Sequence, residues 1–148
     1  MKIAPEFSLK NEEGKAVSLS DFKGKFLALY FYPKDMTPGC TTEACNLRDN
    51  YNQLKKQNIE VIGISMDNQK SHKKFKEKHN LPFQLLIDET GKVCKKYKVY
   101  KRKFFFGRSF LGIKRTTFII DPKGNIKTII KKVDTSNHAE QILNAIKE

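Results

Sequence analysis

Hydrophobic patterning is sharpest at Phe26 to Tyr32 (FLALYFY), a continuous apolar run that is short, aromatic-rich and ended by Pro33. Such a run predicts a buried strand. Glu60 to Ser65 (EVIGIS) predicts a second one. Between them Ala44, Leu47, Tyr51 and Leu54 recur at steps of three and four residues with polar residues between, the stripe of an amphipathic helix. Strand, helix and strand of this length predict a βαβ unit with parallel strands and a right-handed crossover.

Downstream the signals shorten. A helix is predicted from about Asn68 to His79 with Phe75 as its only strong apolar anchor, which places it at the surface. Pro82 follows, then a short strand over Phe83 to Ile87. Asp88-Glu89-Thr90-Gly91 opens a short helix running to about Tyr97. Thr116 to Ile120 and Ile126 to Ile130 are β-rich runs joined by Asp121-Pro122-Lys123-Gly124-Asn125, which has the chemistry of a tight turn and predicts an antiparallel hairpin. A closing helix shows Ala139, Ile142, Leu143 and Ile146 on one face, with Asn137 as its cap and Glu140 three residues on. Residues 3 to 25, broken at Gly14 and Gly24, predict a short preceding hairpin. The order fits an α/β fold, a mixed sheet with helices on both faces and an N-terminal β-hairpin extension. With no repeat, linker or low-complexity stretch, residues 1–148 are expected to form one domain.

Composition narrows the class. Of 148 residues, 39% are hydrophobic and 30% charged, a balance typical of globular chains. No run approaches the ~20 apolar residues of a membrane span, and the amino end, Met1-Lys2-Ile3-Ala4-Pro5, lacks the apolar core of a signal peptide. A cytoplasmic location is therefore expected. Three cysteines are too few for a disulfide scaffold of this length. The net charge of +13 admits polyanion binding, but the lysines occur in nearly every segment, as solvated faces would.

The informative segment is Pro33-Lys34-Asp35-Met36-Thr37-Pro38-Gly39-Cys40-Thr41-Thr42-Glu43-Ala44-Cys45. It follows the first buried strand and opens the first helix, the crevice where chemistry tends to sit in open α/β sheets. Thr37 is a good N-cap and Pro38 a good first helical residue. Cys40 then falls in the first turn, where unpartnered N–H groups favour a thiolate over a thiol. Gly39 leaves the backbone open to a small ligand. A free thiol is about 3% ionised at neutral pH, so ionisation alone raises thiolate supply only ~30-fold. Groups that hold a substrate in line and stabilise leaving-group charge must supply the rest. Thr37 Oγ and the Cys40 N–H are near in sequence. Arg115, just ahead of the strand Thr116 to Ile120, is the candidate cation, with a planar fork of donors.

The pattern of Pro33, Thr37 and Cys40 (Pro-x-x-x-Thr-x-x-Cys) resembles the active-site signature of peroxiredoxins. Thr37-Pro-Gly-Cys-Thr-Thr-Glu-Ala-Cys45 and Gly112-Ile-Lys-Arg-Thr-Thr-Phe-Ile-Ile-Asp121 resemble the bacterioferritin comigratory protein, or Q-type, branch. The likeness runs through nearly the whole chain. It implies a thioredoxin-like fold, no metal or organic cofactor, and reduction of hydrogen peroxide and organic hydroperoxides. It implies that Pro33 shields the site, Thr37 and Arg115 orient the peroxide, and Cys40 is the peroxidatic cysteine. Cys45 matches the resolving cysteine of many members of the branch, Glu43 a partner that positions Arg115. It further implies recycling by thioredoxin or a similar dithiol. The chain is expected to act as a monomer, without nucleic acid or membrane as partner. Five residues along a helix rise about 7.5 Å, and bridged cysteines need Cα atoms within about 6.8 Å. A Cys40–Cys45 bond therefore requires the helix to unwind.

Two rivals remain at the level of sequence. A disulfide oxidoreductase would usually carry Cys-x-x-Cys, and here four residues intervene. A basic nucleic-acid-binding module would use the tract Lys92 to Arg115, with ten Lys or Arg residues, no acid, and Phe104-Phe105-Phe106, which could meet nucleic acid or an anionic membrane. The favoured expectation for that tract is a loop whose phenylalanines fold back as an apolar wall near the active site. Cys94 is expected to be structural. His72, His79 and His138 are expected to face solvent, and the cysteine and histidine spacing lacks a zinc-finger pattern.

Overall fold

The computed structural model describes residues 2–147. In chain order its elements are β1 (Lys2–Ile3), β2 (Ser8–Asn11), β3 (Ala16–Ser18), β4 (Phe26–Phe31), α1 (Pro38–Asp49), α2 (Tyr51–Lys56), β5 (Ile59–Ser65), α3 (Gln69–His79), β6 (Gln84–Ile87), α4 (Lys92–Lys96), β7 (Tyr100–Phe105), β8 (Arg108–Ile113), β9 (Thr116–Ile120), β10 (Asn125–Ile130) and α5 (His138–Lys147). Eight strands form one mixed sheet in the order β1-β10-β9-β4-β5-β6-β2-β3. The centre β4-β5-β6 is parallel and the remaining pairs are antiparallel.

Side chains of β4 alternate between two cores, as a strand covered on both faces requires. Leu27, Leu29 and Phe31 join Phe118, Ile120 and Val93 on one face. Ala28, Tyr30 and Tyr32 join Leu47, Leu54, Phe75 and Ile142 on the other. Helices thus lie on both faces, but unevenly. The first three helices and α5 share one face, while α4 and the N-terminal segment cover the other.

The predicted N-terminal hairpin is β2 with β3, turned at Asn11, whose Oδ1 accepts the N–H groups of Glu13 and Lys15. The helix predicted through Leu54 breaks at Asn50, which ends α1 and precedes α2. At α5, Asn137 supplies the first carbonyl, but the N–H of Ala139 is taken by Asn46 Oδ1 from α1. That cap comes from across the fold, so local sequence could not reveal it.

The helix α3 lies at the surface as expected, anchored by Phe75, but the solvent-facing placement expected of His72 is corrected. His72 and Phe75 are both fully buried and lie three residues apart on one helix face. His72 Nδ1 meets Asp35 Oδ2 at 2.7 Å and its Nε2 meets the Leu86 carbonyl at 2.7 Å. Both partners are acceptors, so both ring nitrogens must donate and the ring is an imidazolium. Burial alone would push its pKa down. The hydrogen bond and charge of Asp35, with the Leu86 carbonyl, outweigh burial and raise it. Asp35 also accepts from Tyr32 Oη at 2.5 Å and Ser71 Oγ at 2.8 Å, while its N–H donates to Asp67 Oδ2 at 2.9 Å. Asp35, Asp67 and His72 bring ligand-type atoms within 4.8 Å of one another, but a doubly protonated ring has no lone pair for a metal.

The basic tract is a second correction. It is a hairpin of β7 and β8 that pair only with each other. Its phenylalanines do not fold back: Phe104 is 78% and Phe106 90% exposed. The side chain of Phe105 lies outside what the structure describes.

Removing one member of a buried ion pair strands the other, at a cost of about 3–5 kcal/mol. His72→Phe should lower the unfolding free energy by about that amount in urea titrations at mildly acidic pH. In the wild type the folded pKa of His72 lies above its unfolded value of about 6.5. Its contribution is therefore complete below about pH 6.5 and is lost as pH rises through the folded value. If His72→Phe left the wild-type pH dependence intact above pH ~6.5, the imidazolium assignment would be wrong.

Candidate active site

The site begins where β4 ends. Asp35 is anchored through its N–H and its carboxylate, Met36 turns the chain with a left-handed φ of 67°, and Thr37 re-enters extended backbone at the start of α1. A left-handed methionine costs about 1–2 kcal/mol. The anchors on Asp35, with the 2.8 Å bond from Thr37 Oγ1 to the Lys34 carbonyl, hold the turn. Thr37 is the N-cap by position and Pro38 stands at N1, yet the Thr37 side chain makes no cap bond. Its hydroxyl hydrogen goes to Lys34, which leaves its oxygen lone pairs free to accept. The first intrahelical bond is from the Thr41 N–H to the Thr37 carbonyl. The N–H groups of Gly39 and Cys40 precede that bond and have no acceptor within the helix.

Cys40 is buried, and Glu43, one turn on, is fully buried on the same helix side. Arg115 reaches both from the junction of β8 and β9. Its Nη1 donates to Glu43 Oε1 at 2.6 Å and its Nη2 lies 3.4 Å from Cys40 Sγ. Cys40, Glu43 and Arg115 are thus brought together as expected from the sequence. Gly39 has a different use from the open space expected for a ligand. A Cβ there would lie 3.1 Å from Arg115 Nη2, so the missing side chain is what lets the guanidinium approach. Pro33 is half-buried in the same loop.

Burial pushes the Glu43 carboxyl up to about 7, against the charge and hydrogen bond of Arg115. Burial would lower the pKa of Arg115, but the charges of Glu43 and Cys40 raise it on balance. Behind Glu43 stands His138, fully buried and not solvent-facing as expected. Gln141 Oε1 already accepts the Asp134 N–H, so it can only accept from His138 Nδ1, at 2.8 Å. Nε2 then accepts the Thr117 hydroxyl at 2.7 Å. The ring is neutral; burial holds its pKa down to about 4. Its lone-pair side faces Glu43 Oε2 at 3.6 Å, and among the described residues that oxygen and Tyr30 Oη are buried without hydrogen bonds. Negative charge on Glu43 Oε2 is poorly supported there, in keeping with the upward shift of Glu43.

Cys45 points elsewhere. Five residues at 100° each turn it about 140° around the helix from Cys40. It is half-buried, with Sγ 3.8 Å from His79 Nδ1 of α3. Burial first, then Lys78 and Arg48, hold the His79 pKa below the ordinary imidazole value. Arg48 also donates to the His79 carbonyl at 2.8 Å, and Phe75 packs edge-on against the ring. This histidine was missed because α3 offered too few apolar residues to orient it. Its spacing from His72 and Phe75, seven and four residues, was the available signal. Cys94 is buried, and burial, with the hydrogen bond its thiol donates to the Asp88 carboxylate and the charge of that carboxylate, pushes the thiol far up. That is the setting of an inert thiol.

Residues 1–129 match the model of the AhpC/TSA family. The chain is 48% identical to "Peroxiredoxin Bcp" of Bacillus subtilis over 145 residues, covering 98% of this chain and 92% of that protein. It is 47% identical to the Escherichia coli K12 protein of the same name over 146 residues, covering 99% and 94%. Among solved structures, a peroxiredoxin Q mutant of Xylella fastidiosa superposes with TM-score 0.90 at 34% identity, covering 99% and 96%. A Xanthomonas campestris bacterioferritin comigratory protein, described with an alkyl peroxide reduction activity, superposes with TM-score 0.89 at 35% identity, covering 95% and 90%. Both carry the mixed sheet and helices of the thioredoxin-like fold seen here. The chain therefore belongs to the AhpC/TSA family, in the bacterioferritin comigratory protein branch of the peroxiredoxins, which are thiol-dependent peroxidases.

Proposed function

We propose that Cys40 is the peroxidatic cysteine of this thiol peroxidase, acting on hydrogen peroxide and organic hydroperoxides, and that Cys45 resolves its oxidised form. The observation that carries the reading is the 3.4 Å contact between Arg115 Nη2 and Cys40 Sγ, with Nη1 tied to Glu43. The guanidinium sits beside the sulfur and beside the space where a leaving oxygen would gain charge. Thr37 Oγ1 accepts the peroxide O–H and the Cys40 N–H donates to it, while Pro33 shields the loop. The Cys40 thiolate attacks the near oxygen, an S–O bond forms and the O–O bond breaks. The departing alkoxide or hydroxide takes a proton, leaving Cys40 as a sulfenic acid. The Xanthomonas relative's alkyl peroxide activity supports including organic hydroperoxides.

Resolution follows when the Cys45 sulfur attacks the sulfenic sulfur, forming the disulfide and releasing water. Cys40 and Cys45 lie in one unbroken helix, so its first turns must unwind. His79 Nδ1, 3.8 Å from Cys45, accepts the proton as Cys45 becomes the nucleophile. Thioredoxin or a similar dithiol of the cytoplasm then reduces the disulfide, its own two thiols being oxidised. The pair is intramolecular, so a monomer suffices.

Cys40→Ser should abolish peroxide consumption with a thioredoxin system. Cys45→Ser should keep one stoichiometric turnover and lose or slow cycling; equal loss in both would reject this division of labour. Gly39→Ala should slow the first oxidation about tenfold, since displacing a reacting group by an ångström can cost ~100-fold, and it should do so without lowering thermal stability. An unchanged oxidation rate would show that the guanidinium need not lie so close. His79→Gln should slow disulfide formation near neutral pH, leave the first oxidation intact, and recover as pH rises and solvent removes the Cys45 proton. A deficit equal at every pH would make His79 merely structural.

A further inference from the structure

We infer that the β7–β8 hairpin is a membrane-docking arm that inserts its apolar tip among the lipids of an anionic bilayer surface. Among the described residues seven large apolar side chains are exposed, and four of them, Phe104, Phe106, Phe110 and Leu111, belong to this one hairpin. Concentrated exposure of this kind marks an interaction site.

The tip adds a second observation. Phe106 and Gly107 link the strands with φ of 50° and 74°, the double left-handed turn that ordinarily takes Asn-Gly. Phenylalanine fits that backbone poorly, and its ring is 90% exposed. A residue ill-suited to its turn and turned outward points to a use outside the fold.

Charge identifies the partner. The hairpin carries Lys101, Arg102, Lys103 and Arg108, and no acidic residue occurs from Lys92 to Arg115. Apolar burial combined with attraction to anionic headgroups is how peripheral segments hold a bilayer surface. The distribution of side chains favours lipid over a protein or a nucleic acid. Cross-strand pairing puts Phe110 with Lys103 on one face of the ribbon, and Phe104 with Ser109 and Leu111 with Arg102 on the other. A protein groove or a stacked base would use one face; acyl chains can surround both. The earlier expectation of no membrane contact rested on the phenylalanines folding back, and their exposure removes that ground. Only Lys114 separates β8 from Arg115, whose Nη2 lies 3.4 Å from Cys40 Sγ. A docked hairpin would therefore hold the reactive sulfur near the lipid surface.

The test is co-sedimentation of the reduced full chain with vesicles of phosphatidylcholine alone or mixed with phosphatidylglycerol, at rising salt. The chain should bind the mixed vesicles and not the neutral ones. A Phe104→Ser/Phe110→Ser variant should weaken that binding about tenfold or more, with unchanged turnover of hydrogen peroxide in solution and an unchanged thermal midpoint. Arg102→Gln/Arg108→Gln should weaken binding and flatten its salt dependence. Equal binding by the serine variant would reduce the effect to the net charge of the chain and overturn the inference. So would phenylalanine-dependent binding to single-stranded DNA, or phenylalanine-dependent dimerisation, in place of vesicle binding.

Discussion

The chemistry proposed for this molecule depends on one guanidinium shared between a sulfur and a carboxylate. Arg115 donates through Nη1 to Glu43 and presents Nη2 to Cys40. In the proposed reaction, where Cys40 attacks as a thiolate, two negative groups compete for one cation. A fully ionised Glu43 would draw the guanidinium charge away from the sulfur. Burial prevents that by raising the Glu43 carboxyl to about 7, and His138 behind it is neutral and adds no charge. Glu43 can thus fix the direction of the fork while leaving much of its charge to the sulfur. The desolvation that makes a buried carboxylate costly is here what keeps the cation available.

That geometry holds only if Thr37 and Cys40 are delivered to the same point, which falls to the loop after β4. Its left-handed Met36 is unfavourable in isolation. The His72–Asp35 ion pair, buried beneath α3 and bonded onward to the Leu86 carbonyl, ties the loop to the second and third parallel strands. The two buried histidines therefore have opposite states for one reason. The nearest partners of the two His72 nitrogens, Asp35 Oδ2 and the Leu86 carbonyl at 2.7 Å, are acceptors and call for a proton on each, whereas Thr117 donates to His138 and excludes one.

The buried strand β4, the Cys40 segment and the terminal hairpin were legible because their signals are local: a dense apolar run, a helix start and turn chemistry. Arg115 was a different matter. It was one of 29 basic residues, and only the family likeness singled it out. The histidines were misjudged because a polar residue reads as exposed unless its partner is known, and the partners lie far away in sequence: Asp35 for His72, Cys45 for His79, Thr117 for His138. The Asn46 cap on α5 was hidden for the same reason. Phe104 and Phe106 failed in the opposite direction, because apolar residues read as buried whether or not the fold has room for them.

Why the fold has no room for them follows from the sheet. β9 leaves Ile113 and Lys114 to pair with β4 on one side and β10 on the other. Both edges of β9 are thereby occupied, and both faces of β4 are already covered. The residues between α4 and β9 pair with one another instead, which makes a ribbon outside the main sheet. A two-stranded ribbon has no core of its own and is marginal in water, so its apolar tip must remain outside the two packed layers. The same continuity that extrudes the hairpin sets Arg115, two residues beyond its end, at the lip of the sheet over Cys40.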